Sequence, residues 1–92
     1  MVPKRLRIAR ELADMSQEEL AIAAGISEET GSSRMSHYEN GRHKPKFELV
    51  CRFAEVLNVP EGYFYTLDDG FADAMLKLYG GKRVQWKKGR LS

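Results

Sequence analysis

The sequence predicts an all-α domain of short helices, and three observations predict it. Ser16-x-x-Glu19 is a capping box, the reciprocal pairing that opens a helix. Gly25 follows the last apolar-periodic residue of that segment, where a helix ends in a left-handed cap. Phe47, Val50, Phe53 or Ala54, and Leu57 form a stripe with the 3.6-residue period of an amphipathic helix. The 92 residues suffice for one domain with a single core.

A first helix is expected over residues 4–14. Leu6, Ala9, Leu12 and Ala13 make its stripe, and Pro3 precedes it at a position proline tolerates. Met15 closes the core at its end. Arg5, Arg7 and Arg10 are expected to face out or flank the stripe; Arg5 or Arg7 then touches a phosphate or simply forms a solvated face. The second helix is Gln17 to Ala24, with Leu20, Ala21 and Ala24 inward. Ile26 is buried after the glycine turn. The polar run 27–33 holds three candidate N-caps, Ser27, Thr30 and Ser32, so a longer connection or a loose extra turn is expected there. The third helix then runs from about Ser32 to Glu39 with Met35 and Tyr38 inward, and Asn40-Gly41 stops it.

Arg42 to Lys46 is a basic loop stiffened by Pro45. The fourth helix is Phe47 to Leu57, ended by Asn58. A short helix follows, with Pro60 in its first turn and Phe64 inward. Asp68-Asp69-Gly70 caps a last helix, Phe71 to Leu78 or Tyr79, with Phe71, Ala74, Met75 and Leu78 on one side, and Gly80-Gly81 breaks it. The tail 82–92, with Val84 and Trp86 among bases, is disordered, a strand, or an arm on DNA, with disorder the expectation. The organisation is thus a domain over 1–66, a C-terminal helix over 67–80, and a basic, flexible tail over 81–92.

Two short helices joined at a glycine suggest a helix-turn-helix, whose second helix lies in the major groove; an ordinary helical hairpin is the alternative. Charge placement supports the first. The net charge is only +2, but residues 1–10 carry four bases and no acids, and residues 11–30 six acids and no bases. Residues 31–46 carry four bases, Arg34, Arg42, Lys44 and Lys46, against Glu39 alone. Five further bases, Lys82, Arg83, Lys87, Lys88 and Arg90, lie in the tail. Bases gathered where phosphate contact is expected are the footprint of a small nucleic-acid binder.

The chain resembles the Xre family of helix-turn-helix regulators, related to the lambda repressor and Cro proteins. The resemblance is carried by Arg7-x-x-Arg10-Glu11, Ser16-Gln17-Glu18-Glu19-Leu20-Ala21, Gly25-Ile26-Ser27, Ser36-His37-Tyr38-Glu39-Asn40-Gly41, Pro45, and Leu57-Asn58-Val59-Pro60 before Phe64. It covers residues 4 to about 66 and implies a lambda-repressor-like five-helix domain, here followed by one more helix and a basic tail. From Gly25 to Met35 is ten residues, where the family spacing is six, so four extra residues lie within Ile26–Arg34. Four residues are about one helical turn. The insertion either lengthens the third helix at its start or forms an extruded loop.

What the resemblance implies for function is sequence-specific binding of double-stranded DNA by a transcriptional regulator, expected to be a cytoplasmic homodimeric repressor. Ser32, Ser33 and His37 align with base-edge positions, and Arg34 and Ser36 lie beside them. Gln17 and Asn40 resemble phosphate-contacting positions, and Arg42, Lys44 and Lys46 match basic phosphate contacts. Arginine is the commonest reader of guanine, and serine and histidine offer donors and acceptors. Arg34 has a second reading, as a partner of Glu28 or Glu29 bracing the insertion.

Other chemistries find little support. Two histidines and Cys51 have no metal-ligand spacing, adjacent acids point apart, and Gly80-Gly81-Lys82 is not a phosphate loop. An enzyme is not expected, nor a cofactor, a small-molecule ligand or a membrane. No secretion signal is read at the start, and a lone cysteine fits a reducing compartment. The last helix is either a dimer contact or packed on its own domain. The competing function is an antitoxin-like or coactivator protein-interaction module on the same fold.

Overall fold

The computed structural model describes residues 1–90, with side chains through Gly80. The described residues form five α-helices and one 3-10 turn and contain no strand. Helix α1 spans Pro3–Leu12, α2 Gln17–Ala23, α3 Glu28–Glu39, α4 Phe47–Leu57 and α5 Asp69–Arg90, with the 3-10 turn at Glu61–Tyr65 before α5. None of these helices is long and apolar enough to cross a membrane.

Helix α1 begins with proline in its first turn and buries Leu6 and Ala9. It ends at Leu12, two residues short of the expected end, and Leu12 is 71% exposed. The expected stripe fails there because six residues advance a helix by 600°, which puts Leu12 about 120° away from Leu6. Asp14 takes a left-handed φ of 56° and turns the chain towards α2.

The capping box of α2 is present in full. Ser16 Oγ accepts from Glu19 N at 3.0 Å, and Ser16 N donates to Glu19 Oε1 at 2.8 Å. Leu20, Ala21 and Ala24 are buried, and Gly25 sits at φ +91°. That left-handed residue lets Ile26 N return to Ala21 O at 2.9 Å and brings Ile26 into the core.

Helix α3 begins four residues before the expected Ser32. Ser27 is its N-cap, accepting from Glu29 N at 3.3 Å, so the polar segment 28–33 is regular helix rather than a loop. Its inner face is Gly31, Met35 and Tyr38, all buried. A Cβ on Gly31 would stand 2.9 Å from Ala21 Cβ, so the absent side chain is what lets α2 and α3 approach here. Gly31→Ala therefore sets a gain in helix propensity of about 1 kcal/mol against overpacking of about 1–3 kcal/mol. Neither methyl can rotate away, so a net loss of about 1 kcal/mol is expected in urea unfolding. A more stable variant would show that α2 and α3 separate freely.

Helix α4 has its expected bounds and buries Leu49, Val50, Phe53, Ala54 and Leu57. Phe47, assigned to that stripe, is instead 55% exposed at the first turn. Asn58 ends the helix in a left-handed conformation, φ 59°. Tyr63 and Phe64 of the 3-10 turn are both buried, and Phe64 O accepts from Val2 N at 2.7 Å, tying the start of the chain to this turn.

Helix α5 is capped by Asp68, whose Oδ1 accepts from Phe71 N at 2.7 Å. The stripe of Phe71, Ala74, Met75 and Leu78, read as either a dimer contact or packed on the domain, is mostly exposed. Ala72 is fully buried and Met75 and Leu76 partly so, whereas Phe71 is 61% and Leu78 77% exposed. Of that stripe only Met75 turns partly towards the core, and the small Ala72 is the residue that fits in fully. The helix also continues past Gly80-Gly81 to Arg90; a glycine inside a helix costs about 1 kcal/mol but does not forbid it. The expected flexible tail, with Val84 and Trp86, lies beyond the described side chains, and residues 91 and 92 lie outside the described residues.

Arg5, expected on the surface, is the buried charged residue of the core, 3% exposed. Its Nε donates to Thr66 O at 2.9 Å, and its Nη2 to Leu67 O at 3.0 Å and Asp69 Oδ1 at 2.8 Å. The guanidinium also lies 5.7 Å from the Tyr63 ring centre. Arg5 thus joins α1 to the segment that leads into α5, across the boundary expected after residue 66.

Candidate nucleic-acid interface

The geometry of α3 follows from its buried face. With Gly31, Met35 and Tyr38 inward and 100° per residue, Ser33, Ser36, His37 and Asn40 fall on the opposite side. Ser32 and Arg34 lie on its two flanks. Ser32, Ser33 and Arg34 are exposed, and Ser36 and His37 are half-buried. Glu29 shares the outer line one turn before Ser33 and, with Glu28, places carboxylates at the start of the helix. Two of the six acids of residues 11–30 therefore stand at the start of α3 itself.

The side chains are ordered by their neighbours. Ser33 Oγ donates to Thr30 O at 3.3 Å. Arg34 does not pair with Glu28 or Glu29: its Nη2 donates to Tyr38 Oη at 2.6 Å, and the guanidinium lies 5.6 Å from that ring's centre. This draws Arg34 towards the α3–α4 side rather than straight off the outer face. His37 and His43 stack edge to face at 4.9 Å, and Arg42 Nη1 lies 3.4 Å from His37 Nε2. Asn40 Oδ1 accepts from Arg42 N at 3.0 Å and shapes the exit turn. Arg42, Lys44 and Lys46 are exposed along the loop to α4.

Gln17 stands in the first turn of α2, its Nε2 donating to Glu39 Oε1 at 3.2 Å. Glu39 is the centre of a buried bracket. Arg10 Nε donates to its Oε2 at 2.6 Å and Arg10 Nη2 to its Oε1 at 3.0 Å. Arg10 Nη1 also reaches Met15 O at 2.9 Å. The carboxylate side chain is 6% exposed and the guanidinium side chain 13%. Hydrogen bonding to Glu39 pushes the Arg10 pKa above its ordinary value, against the opposing effect of burial. One fork thus fixes α1, the start of α2 and the end of α3 together.

Sequence reasoning placed Arg10 at the margin of a stripe and missed this bracket. A signal was present: Glu39 is the one acid among the four bases of residues 31–46. An acid held in such a run needs a specific partner.

The sequence profile of the helix-turn-helix domain family matches residues 4–62, well over half of the chain. The chain belongs to the helix-turn-helix domain family. The crystal structure of transcriptional regulator BswR superposes with a TM-score of 0.83 at 32% identity, covering 99% of this chain and 96% of that chain. No curated protein matches.

The matched region takes in α1 to α4, with α2 and α3 joined through the Gly25 turn. The matched region ends within the 3-10 turn, so α5 lies beyond it. The ten predicted residues divide into groups. Ser33, Ser36, His37 and Asn40 share the outer side of α3. Ser32 and Arg34 flank it. Arg42, Lys44 and Lys46 continue from its C-terminal end, and Gln17 lies beside Glu39. His43 and Arg52 were not singled out from the sequence; both stand close to the predicted bases.

Proposed function

We propose that the protein is a sequence-specific transcriptional regulator that binds double-stranded DNA, of the Xre type and with a lambda-repressor-like arrangement extended by α5. The observation that carries this reading is the exposed polar side of α3, braced from behind by Arg10–Glu39 and followed by a loop of exposed bases. A rigid polar helix face of this kind suits the major groove, whose base edges carry a distinct donor and acceptor code. Ser33, Ser36 and His37 face the bases, with Ser32 and Arg34 reaching base edges from the flanks. Gln17, Asn40, Arg42, Lys44 and Lys46 contact phosphates, which position the helix without reading sequence.

The working form is a cytoplasmic homodimeric repressor on two half-sites about one helical turn apart. Exposed Phe71 and Leu78 on the outer side of α5, with exposed Leu67 in the segment before it, supply the apolar surface for the dimer contact. Selection from a randomised duplex library, with a salt titration of the enriched sequence, tests this reading. An enriched inverted repeat supports it. Weak, salt-labile binding without enrichment would instead favour an antitoxin-like or coactivator module that uses the α5 surface for a protein partner.

Two substitutions separate reading from positioning. Arg34→Ala is expected to remove about 1–3 kcal/mol of discrimination between the selected site and random DNA. Equal loss on both would take Arg34 out of the reading set. Lys44→Ala is expected to weaken both alike and to flatten the salt dependence; a site-selective loss would contradict its assignment.

A further inference from the structure

Beside the polar face of α3, two concavities meet in the seam between α3, the basic loop and α4. Their volumes are about 370 and 300 Å³. Arg34, Tyr38 and Lys44 line both. His37 and His43 complete the first, and Lys46, Glu48 and Arg52 are among those completing the second. Four permanent cations, Arg34, Lys44, Lys46 and Arg52, therefore converge on one open groove that contains a single carboxylate, Glu48. Among the described residues, none of these cations forms a salt bridge within 4.0 Å.

We infer that this groove, beyond the base-reading Arg34 and His37 at its α3 side, seats the sugar–phosphate backbone of DNA, and that Arg52 on α4 is a phosphate ligand at its far end. The inference rests on the DNA-binding reading above and extends the interface from α3 and its loop onto α4. Like charges held together repel, and a cleft between protein walls focuses their field on an anion of opposite sign. The Tyr38 hydroxyl holds the Arg34 guanidinium at the mouth shared by both concavities, so the cationic lining is continuous from the end of α3 to Arg52. Two joined concavities open to solvent suit a chain of phosphates rather than one compact anion. Each strand of duplex DNA presents that chain at one charge per about 3.4 Å of helix axis. Glu48 lies within the same lining and opposes the backbone.

Two exposed positions test the inference in opposite directions. Binding of the full chain is titrated against salt on the selected duplex and on random duplex DNA. Arg52→Ala is expected to weaken both several-fold alike and to lower the magnitude of the log K against log salt slope by about 0.9, the value of one phosphate contact. Arg52→Lys retains the slope. Glu48→Gln is expected to tighten both duplexes alike. Unchanged affinity and slope in Arg52→Ala, or a loss confined to the selected site, overturns the assignment while the wild-type binding upholds the DNA-binding reading. Failure of the wild type to bind any duplex overturns both. Circular dichroism melting of each variant ensures that a loss of binding is not a loss of fold.

Discussion

Glu39→Ala is expected to cost about 3–5 kcal/mol of folding stability, the usual penalty for removing one partner of a buried ion pair. For a small domain with about 5–15 kcal/mol in total, that is a large share. The carboxylate accepts two hydrogen bonds from Arg10 and one from Gln17. Its removal strands a guanidinium whose side chain is 13% exposed. Arg10 keeps Met15 O as a partner, but a carbonyl does not neutralise a charge. The companion experiment removes both groups: Arg10→Met with Glu39→Leu is expected to recover most of the loss, because a buried pair can often be replaced by apolar side chains of similar volume. Urea unfolding of the singles and the double gives the coupling energy directly. A loss below about 1 kcal/mol in Glu39→Ala would mean the pair behaves like an exposed one. The double variant also separates stability from function. It folds, yet Gln17 loses its anchor, so its DNA affinity is expected to fall even where the melting transition does not.

The second large effect is expected at Arg5. Arg5→Ala leaves Thr66 O and Leu67 O without their donor and removes the ion pair to Asp69. Hydrogen bonds to a charged group contribute about 1.5–3 kcal/mol, and Thr66 is half-buried and Leu67 exposed, so a loss of about 2–3 kcal/mol is expected in urea unfolding. The damage should be local, because Arg5 is the link from α1 to the segment entering α5. Hydrogen exchange is the measurement that distinguishes this: the amides of α5 lose protection first, while those of α2 and α3 retain theirs. Equal protection of α5 in variant and wild type would show that Ala72 and its neighbours hold the helix unaided.

Acid reaches the same joint through Asp69. Hydrogen bonds from Lys4 and then Arg5 hold its carboxyl below the ordinary aspartate value. A carboxylate whose pKa is lower folded than unfolded adds stability that is complete above the ordinary value, about 3.9. That stability is lost as pH falls from there through the lowered folded value. Loosening of α5 in that window, ahead of the rest of the domain, is the expected signature.

The elements that were legible in the sequence are those whose causes are local. Ser16 and Glu19 sit three residues apart and satisfy each other's backbone groups, so their box needs no tertiary partner. Gly25 and Asn58 end their helices where the sequence places the ends, through left-handed conformations that depend on residue type. The α4 bounds follow from an apolar period that one helix carries by itself. The outer side of α3 was legible in the same way, because Met35 and Tyr38 point inward and set the phase for Ser33, Ser36 and His37.

What tertiary structure decided depends on partners distant in the chain. Residues 28–33 read equally as an extension of the third helix or as a loop until Gly31 is placed against Ala21, where only a missing side chain lets two helices touch. Arg5 and Arg10 look like surface bases until partners 61 and 29 residues away, Thr66 and Glu39, take them into the protein. Arg34 lies on a flank of α3 by phase, and Tyr38 draws it further, towards the α3–α4 side. The face α5 buries was also undetermined, since both its apolar stripes have helical spacing and the fit of Ala72 selects between them. Helix period and capping are properties of a few neighbouring residues and can be read from sequence. The burial of a charge and the approach of two helices are properties of the space between elements, which exists only once the chain has folded.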